Sequence, residues 1–154
     1  MNVSALASMQ ELIPAACATI QDYPHQGILF YDVTTLFANA EVFKASIDEI
    51  ARLFEGTYDV VAGVEARGFL MASALAYASG KGIMTVRKAG KLPRETYREE
   101  YELEYGTAAI EIHSHDFAPG TRVLLLDDLL ELKGLGGREA LAQYRVETLS
   151  VVSE

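Results

Sequence analysis

The strongest indication of a fold lies in residues 58–86, which read YDVVAGVEARGFLMASALAYASGKGIMTV. Residues 58–64 are almost continuously apolar, which is typical of a strand that is buried on both faces. A helix is predicted over residues 69–79, ended by Gly80, and a second buried strand over residues 82–86. A strand, a helix and a strand within about thirty residues form a βαβ unit. The sequence therefore predicts an α/β fold whose sheet is at least partly parallel.

Further elements are predicted on both sides of this unit from apolar spacing and from turn residues. An amphipathic helix covers residues 5–20 and is bent or divided by Pro14. The strongest buried strand is predicted over residues 122–130, and it ends on two carboxylates, Asp127 and Asp128. The other predicted elements are a helix over 41–54 capped by Asn39, a hairpin of 101–105 with 108–113, a short helix over 138–142 and a β-like segment over 146–152.

Length, charge and cysteine count limit the function classes that fit this chain. The 154 residues contain no repeat or linker and predict one domain, 1–154. The 13 basic and 22 acidic residues give a formal net charge of −9, which argues against a nucleic-acid partner. The single cysteine, Cys17, excludes an intramolecular disulfide and a Cys-rich zinc site. The first basic residue is Lys44 and no apolar run approaches the roughly 18 residues of a membrane helix, so we expect a cytoplasmic protein without a membrane partner.

Charged residues follow the carboxyl ends of three predicted strands, which is where open α/β sheets bind their ligands. The turn at residues 65–68 opens a helix and contains Arg67, so it suits an anion; the alternative is a tight turn with a solvated arginine. Asp127 and Asp128 can accept hydrogen bonds from a ribose diol or hold Mg²⁺ through water, the alternative being a helix N-cap beside a second acid. Five basic side chains after the second strand indicate a grip on phosphates or, alternatively, a solvated face. These five are Arg87, Lys88, Lys91, Arg94 and Arg98.

The predicted hairpin also carries ionisable residues. Glu100, Glu102 and Glu104 surround the aromatic residues Tyr101 and Tyr105. One of the three acids can serve as a general acid or base, or the three can mark the exposed positions of the hairpin. The two histidines that follow are two residues apart with no third ligand nearby, so we expect no directly bound metal there.

Six stretches of the sequence, taken in order, resemble the adenine phosphoribosyltransferase family, which has the type I phosphoribosyltransferase fold. They read DYPHQGILFYDVTT at 22–35, VEARGF at 64–69, VRKAGKLP at 86–93, YELEYG at 101–106, EIH at 111–113 and VLLLDDLL at 123–130. The segment ELKGLGGRE at 131–139 resembles the C-terminal part of the family. The resemblance implies an α/β fold with a mostly parallel twisted sheet flanked by helices, and a mobile hairpin loop over the site.

The resemblance implies a reaction in purine salvage. The phosphoribosyl group of 5-phosphoribosyl-1-pyrophosphate is transferred to N9 of adenine, and the products are AMP and pyrophosphate. It also implies a homodimer and a requirement for Mg²⁺. The substrate would hold this ion, and water would bridge it to Asp127 and Asp128. These two carboxylates would bind the ribose hydroxyls.

The resemblance assigns roles to further residues by motif match. Glu104 and Arg67 would be catalytic, with Glu104 moving a proton at the base. The residues that would bind the pyrophosphate or other phosphates are Ala66, Arg67, Arg87, Lys88 and Lys91, some of them across the dimer. Tyr105 would close over the reacting centre with Glu104. Leu29 and Tyr31 would line an adenine pocket to which residues 1–36 contribute.

The sequence departs from the family at two places. Tyr31 stands where an arginine is usual, which affects one contact in the adenine pocket. The family continues DDLL with ATGGT, a loop whose N–H groups hold the 5′-phosphate, whereas here Leu130 is followed directly by Glu131. A loop, a helix and a strand, roughly 25 residues, would be missing together.

The apparent gap after Leu130 leaves several interpretations open. Either the chain lacks the 5′-phosphate site, or the printed sequence omits a segment, which the good match on both sides favours. A gap would also expose an apolar sheet edge. Two alternatives stand beside the adenine enzyme: a non-catalytic member of the fold that binds a nucleotide or a purine, and an enzyme that uses another purine base.

Overall fold

A computed structural model describes residues 8–103, 106–133 and 137–152 of the chain. Contacts group the chain into two compact units, one formed by Met1–Ser46 with Leu129–Glu154 and the other by Ile47–Asp128. The helices are α1 (Met9–Ala16), α2 (Thr34–Ala38), α3 (Ala40–Leu53), α4 (Arg67–Ser79) and α5 (Gly137–Ala140). The strands are β1 (Ala18–Gln21), β2 (Leu29–Asp32), β3 (Val60–Val64), β4 (Gly82–Lys88), β5 (Thr96–Leu103), β6 (Gly106–His113), β7 (Val123–Leu126), β8 (Leu130–Leu132) and β9 (Ser150–Val152).

The unit Ile47–Asp128 contains a five-stranded sheet in the order β5-β6-β4-β3-β7. Strand β3 pairs in parallel with β4 and with β7, as the βαβ pattern predicts. Strand β6 pairs antiparallel with β4 and with β5. The α/β class is confirmed, but the sheet is mixed rather than mostly parallel, because the hairpin of β5 and β6 extends it. The first strand of that hairpin begins at Thr96, five residues before the predicted start.

Helix α4 packs closely on one face of this sheet. A Cβ atom on Gly63 would lie 2.7 Å from the carbonyl oxygen of Gly68 and 2.9 Å from the Cβ of Ala72, so only glycine fits there. Met71, Ala72 and Leu75 are almost completely buried along the same helix. The close approach places the beginning of α4 directly beside the carboxyl ends of the parallel strands.

The opposite face of the sheet has its own apolar cluster. Ala62, Met84 and Val86 are buried there, and partly buried side chains from other elements pack against them, namely Val64, Ile110, Ile112 and Phe117. Ala62 and Met84 are register partners on the parallel strands β3 and β4. Burial on both faces explains why β3 reads as a continuous apolar run. The prediction of a buried strand holds for β4 on one face only, because Ile83 on its other face is 44% exposed.

Strand β7 differs from its prediction in length and in burial. It ends at Leu126, and Asp127 and Asp128 follow it outside the strand. Leu124 and Leu126 are buried, but Val123 and Leu125 are 47% and 55% exposed. The prediction of a buried strand over residues 122–130 is therefore wrong in its bounds and holds for one face only. Strand β7 lies at an edge of the sheet, and one of its faces is left largely uncovered.

The other unit is built around the two chain ends. Strands β1 and β2 pair antiparallel, and β8 and β9 pair in parallel. The predicted helix over 5–20 is too long: within the described residues, α1 covers Met9–Ala16, and β1, with the β-branched pair Thr19 and Ile20, follows at once. The Gln10 side chain joins α1 to β9 by donating to the carbonyl oxygen of Val151 (2.6 Å) and accepting from its N–H group (2.9 Å).

Three further sequence predictions concern helix α3, helix α5 and strand β9. Asn39 caps α3 as predicted, because its Oδ1 accepts hydrogen bonds from the N–H groups of Glu41 and Val42 (both 3.2 Å). The β-like segment predicted over 146–152 narrows to the three residues of β9, and α5 ends two residues before its predicted end. No helix within the described residues is long and apolar enough to cross a membrane.

Candidate active site

The candidate site lies at the sheet edge where β3, β4 and β7 end. These strands are parallel neighbours, so their carboxyl ends meet at one edge, and the three charged segments predicted from the sequence follow them. Two ion pairs link the segments. Glu65 Oε2 lies 3.3 Å from Arg87 Nε, and Arg67 Nη2 lies 3.0 Å from Asp128 Oδ2. The structure thus brings Arg67, Arg87 and Asp128 to one region of the unit.

Arg67 is the first residue of α4, and its side chain is half exposed. The preceding residue, Ala66, provides no side-chain cap, so no side chain at that position occupies the N–H groups of the first turn. Such N–H groups and the positive end of the helix dipole favour an anion. The guanidinium of Arg67 adds a charged donor that can bind phosphate through two hydrogen bonds. This arrangement suits a diphosphate.

Glu65 lies in the turn between β3 and α4 and contacts the end of β4. Its carboxylate accepts a hydrogen bond from the backbone N–H group of Lys88 (3.0 Å) as well as from Arg87. These contacts, the Lys88 N–H group first and the Arg87 guanidinium second, lower the pKa of Glu65 below its usual value. Glu65 is therefore ionised at neutral pH, and it holds the Arg87 side chain in place. No role is predicted for Glu65 from the sequence, although an acid directly before the Ala-Arg-Gly turn is a usable signal.

The five predicted basic residues divide into two groups. Arg87 and Lys88, predicted to begin a loop, are the last two residues of β4, and residues 89–91 follow them outside the strand. We call residues 87–91 the basic loop; within it, Arg87 Nη1 donates to the carbonyl oxygen of Lys91 (3.2 Å). Arg94 and Arg98 instead pair with nearby acids, at 2.8 Å from Asp116 and 2.9 Å from Glu100. The basic side chains next to the edge of the sheet are therefore those of the basic loop.

Asp127 and Asp128 follow β7 at the same edge. Burial and the neighbouring Asp128 raise the pKa of Asp127, and the positive charge of Arg67 partly offsets this. Two adjacent carboxylates present enough acceptor oxygens for a vicinal diol. They also fit Mg²⁺ that is held mainly by substrate phosphates, since such an ion needs only one or two protein carboxylates. Among the described residues, no group of three or more potential ligands forms a self-contained metal site.

The remaining predicted site residues belong to the other unit or lie outside the described residues. Leu29 and Tyr31 lie on β2, in the unit that holds the chain ends, and both side chains are partly buried. Tyr31 is the register partner of Thr19 on β1. Glu104 and Tyr105 are outside the described residues, so their predicted roles stay predictions.

Comparisons with known proteins identify relatives that span the chain. No family model matches. The adenine phosphoribosyltransferase of Renibacterium salmoninarum is 47% identical and covers 92% of this chain and 93% of the relative. The crystal structure of adenine phosphoribosyltransferase from Thermoanaerobacter pseudethanolicus superposes with a TM-score of 0.81 at 37% identity, covering 94% of this chain and 97% of the other.

A third relative was crystallised with ligands. The adenine phosphoribosyltransferase of Saccharomyces cerevisiae, in complex with D-2,5-dideoxy-2,5-imino-altritol 1,6-bisphosphate and adenine, gives a TM-score of 0.73 at 35% identity. The match covers 95% of this chain and 84% of the yeast chain. Identity of this extent over nearly the whole chain, together with the shared architecture, shows that the chain belongs to the adenine phosphoribosyltransferase family.

Proposed function

We propose that this chain forms AMP and pyrophosphate from adenine and 5-phosphoribosyl-1-pyrophosphate, and so acts in purine salvage. The observation that carries the proposal is the 3.0 Å contact between Arg67 and Asp128, in a chain that is 47% identical to an adenine phosphoribosyltransferase. The sugar donor carries a diphosphate next to two ribose hydroxyl groups. A site for it needs a cation and a carboxylate side by side, and these two residues supply them.

The diphosphate half of the substrate binds at the start of α4. Arg67 donates two hydrogen bonds to phosphate oxygens, and the N–H groups of the first helical turn donate further ones. Arg87, held by Glu65, and the exposed Lys88 and Lys91 add positive charge from the basic loop. This charge attracts the substrate to a protein whose net charge is −9.

The ribose half binds at Asp127 and Asp128, whose carboxylates accept hydrogen bonds from the two hydroxyl groups. Without substrate, Arg67 and Asp128 neutralise each other. On binding, Arg67 exchanges the carboxylate for a phosphate and Asp128 exchanges the guanidinium for a hydroxyl. Each group keeps a partner, which avoids leaving a charge unpaired at the site.

The reaction breaks the bond between C1 of the ribose and the diphosphate oxygen, and it forms a bond between C1 and N9 of adenine. Negative charge grows on the departing pyrophosphate, where Arg67 and the basic loop stabilise it. The N9 proton of adenine passes to a base, a role that we assign to Glu104. By the family resemblance, Tyr105 would close over the reacting centre with it. Bound Mg²⁺ would neutralise further charge on the diphosphate, held by substrate oxygens and, through water, by Asp127 and Asp128.

The base-binding and assembly parts of the proposal rest on the family. Leu29 and Tyr31 line the adenine pocket, with residues 1–36 contributing to it. We propose that the working form is a cytoplasmic homodimer of a single-domain chain, 1–154. Sedimentation of the purified protein tests the dimer, because a monomer at the concentrations used for activity would contradict it.

An assay of AMP formation tests the proposed reaction. Adenine, 5-phosphoribosyl-1-pyrophosphate and Mg²⁺ are incubated with the chain, and AMP and pyrophosphate are quantified together. We expect equal amounts of both products. Hypoxanthine and guanine in parallel reactions test the base, and faster turnover of guanine would contradict the assignment of adenine.

A second candidate function, a non-catalytic purine or nucleotide binder, is favoured by the length of the alignments. The alignment with the Renibacterium relative has 169 positions, whereas 92% of the 154 residues is about 142, so about 27 positions of that relative have no counterpart here. Only residues 127–129 lie between β7 and β8. A connection from β7 to a further parallel strand beside it would need a dozen or more residues.

Calorimetry separates this candidate from the enzyme. A binder without the 5′-phosphate loop would take up adenine or AMP and release heat, yet it would make no AMP from the two substrates. If millimolar AMP released no heat and no turnover occurred, the binding function would also be wrong.

A further inference from the structure

Glu111 is an acid on β6 to which neither the sequence pattern nor the proposed mechanism assigns a role. Its side chain is only 8% exposed, and it is the one acidic side chain among the buried residues that the structure describes. Its Oε2 accepts a hydrogen bond from the backbone N–H group of Gly90 at 2.9 Å. An acid buried to this degree is costly unless it is hydrogen-bonded, so its contact with the basic loop calls for an explanation.

We propose that Glu111 is a positioning residue that fixes the basic loop, residues 87–91, in the shape that binds the diphosphate. The proposal rests on the proposed function of this loop. No ion pair joins Glu111 to any described residue, and the contact found for its carboxylate is with the backbone of Gly90. The carboxylate is therefore not a partner for the substrate-binding cations themselves. It acts on the course of the chain that carries them.

The backbone around Gly90 shows how the carboxylate acts. The pairing of β4 with β6 continues to Ala89, whose N–H group donates to the carbonyl oxygen of Ala109 (2.9 Å). At Gly90 the chain leaves the strand with φ +78°, a conformation that glycine adopts readily. The Gly90 N–H group would lose its partner at this point, and Glu111 supplies one.

Arg87 holds the other end of the basic loop, at Lys91. Its Nη1 donates to the carbonyl oxygen of Lys91, so the loop is held at both ends of the turn. Arg87 is in turn the register partner of Glu111 across β4 and β6, and its Nε contacts Glu65. Glu111 and Glu65 thus hold the same short loop from two sides, the first through its backbone and the second through Arg87 and Lys88.

Loss of the Glu111 carboxylate would release the turn without removing any cation. The basic loop would then have to be ordered when the diphosphate binds, and that ordering lowers affinity. Hydrogen bonds to charged groups are strong enough that we expect a roughly tenfold to hundredfold rise in the KM for 5-phosphoribosyl-1-pyrophosphate. The KM for adenine should stay within about twofold, because adenine does not contact this loop in the proposal.

Three variants test the proposal. Glu111→Ala removes the acceptor, whereas Glu111→Gln keeps an oxygen for the Gly90 N–H group and should restore most of the affinity. Glu55→Ala is the matched control, since it removes one exposed negative charge from the same unit of the chain. The measurements are both KM values, the Kd of inorganic pyrophosphate with Mg²⁺ by calorimetry, and urea unfolding.

The outcomes separate positioning from a merely structural role. A selective loss of pyrophosphate and sugar-donor affinity in Glu111→Ala, recovered in Glu111→Gln, supports the proposal. Wild-type affinities in Glu111→Ala, or equal losses in both Glu111 variants, would overturn it. If Glu111→Ala does not fold, Gly90→Ala decides, since it disturbs the same N–H group from the other side, and wild-type affinity there would overturn the proposal.

The pyrophosphate measurement also keeps this proposal distinct from the proposed function. If the wild-type chain forms no AMP but binds pyrophosphate, and Glu111→Ala weakens that binding, the enzymatic function fails and the role of Glu111 stands. If the wild-type chain binds no pyrophosphate, the role of Glu111 fails as well.

Discussion

Gly68 is the position where a single methyl group should disturb the candidate site most. It is the second residue of α4 and is buried. A Cβ atom added there would collide with the carbonyl oxygen of Leu126, and its next neighbours are the carbonyl carbons of Leu126 and Gly63 at 3.3 and 3.4 Å. All three atoms belong to the backbones of paired strands, β7 and β3, which cannot move aside as a flexible side chain can.

The size of the effect follows from two opposing contributions. Alanine favours a helix over glycine by about 1 kcal/mol. Overpacking costs about 1–3 kcal/mol, and a clash with a fixed backbone lies at the upper end of that range. We therefore expect Gly68→Ala to lower the free energy of unfolding by about 2 kcal/mol, which shifts the urea midpoint by about 1 M.

Urea unfolding of matched variants measures this effect. Gly82→Ala is the control, because its Cβ atom would lie 3.8 Å from the nearest neighbour, a methyl group of Val60, so its midpoint should stay close to that of the wild type. Separating α4 from β7 also separates Arg67 from Asp128, so the KM for 5-phosphoribosyl-1-pyrophosphate should rise in Gly68→Ala alone. A wild-type midpoint for Gly68→Ala would refute the close packing on which this reasoning depends.

Three further predictions concern the charged residues of the site. Asp127→Asn should abolish turnover yet raise the melting temperature at neutral pH, because burial and Asp128 raise the pKa of Asp127 and so make its ionised form unfavourable in the folded protein. The difference in melting temperature should shrink as the pH falls through that raised pKa, where the native wild-type carboxyl takes up a proton. A lower melting temperature for the variant at pH 7 would contradict this. Arg67→Ala should raise the Kd of pyrophosphate about tenfold or more in calorimetry, and an unchanged Kd would exclude this arginine from the diphosphate site. Glu65→Gln should weaken the ion pair with Arg87 and lower the melting temperature at neutral pH. Because the pKa of Glu65 is lowered, its contribution to stability is present above about pH 4.5 and disappears as the pH falls through the lowered pKa. The melting temperatures of variant and wild type should therefore converge in acid, and a difference that stays constant with pH would count against the ion pair.

The βαβ unit could be predicted from the sequence because each of its parts is locally encoded. The apolar run of β3 reflects burial on both faces, and Gly80 ends α4 with a positive φ of 64°. The meeting of Arg67 with Asp128 also follows from the sequence, since parallel strands place their carboxyl ends at one edge. These inferences need only a strand pattern and one topological rule.

Features that depend on distant packing could not be predicted in the same way. The run before Asp127 is as apolar as that of β3, yet Leu125 is exposed, because burial of a strand requires a second element to cover it. The hydrogen bond from Gly90 to Glu111 joins residues 21 positions apart, and nothing in the local pattern distinguishes Glu111 from an exposed strand acid. Side-chain positioning of this kind became visible only with the register of β4 and β6.

The proposed function is tested most directly by AMP formation in a purified chain whose intact mass is 16.8 kDa, the mass of the printed sequence. That mass ensures that no segment is present between Leu130 and Glu131. We predict Mg²⁺-dependent formation of AMP and pyrophosphate in equal amounts from adenine and 5-phosphoribosyl-1-pyrophosphate. A folded chain of this mass that binds AMP but forms none would contradict the enzymatic function.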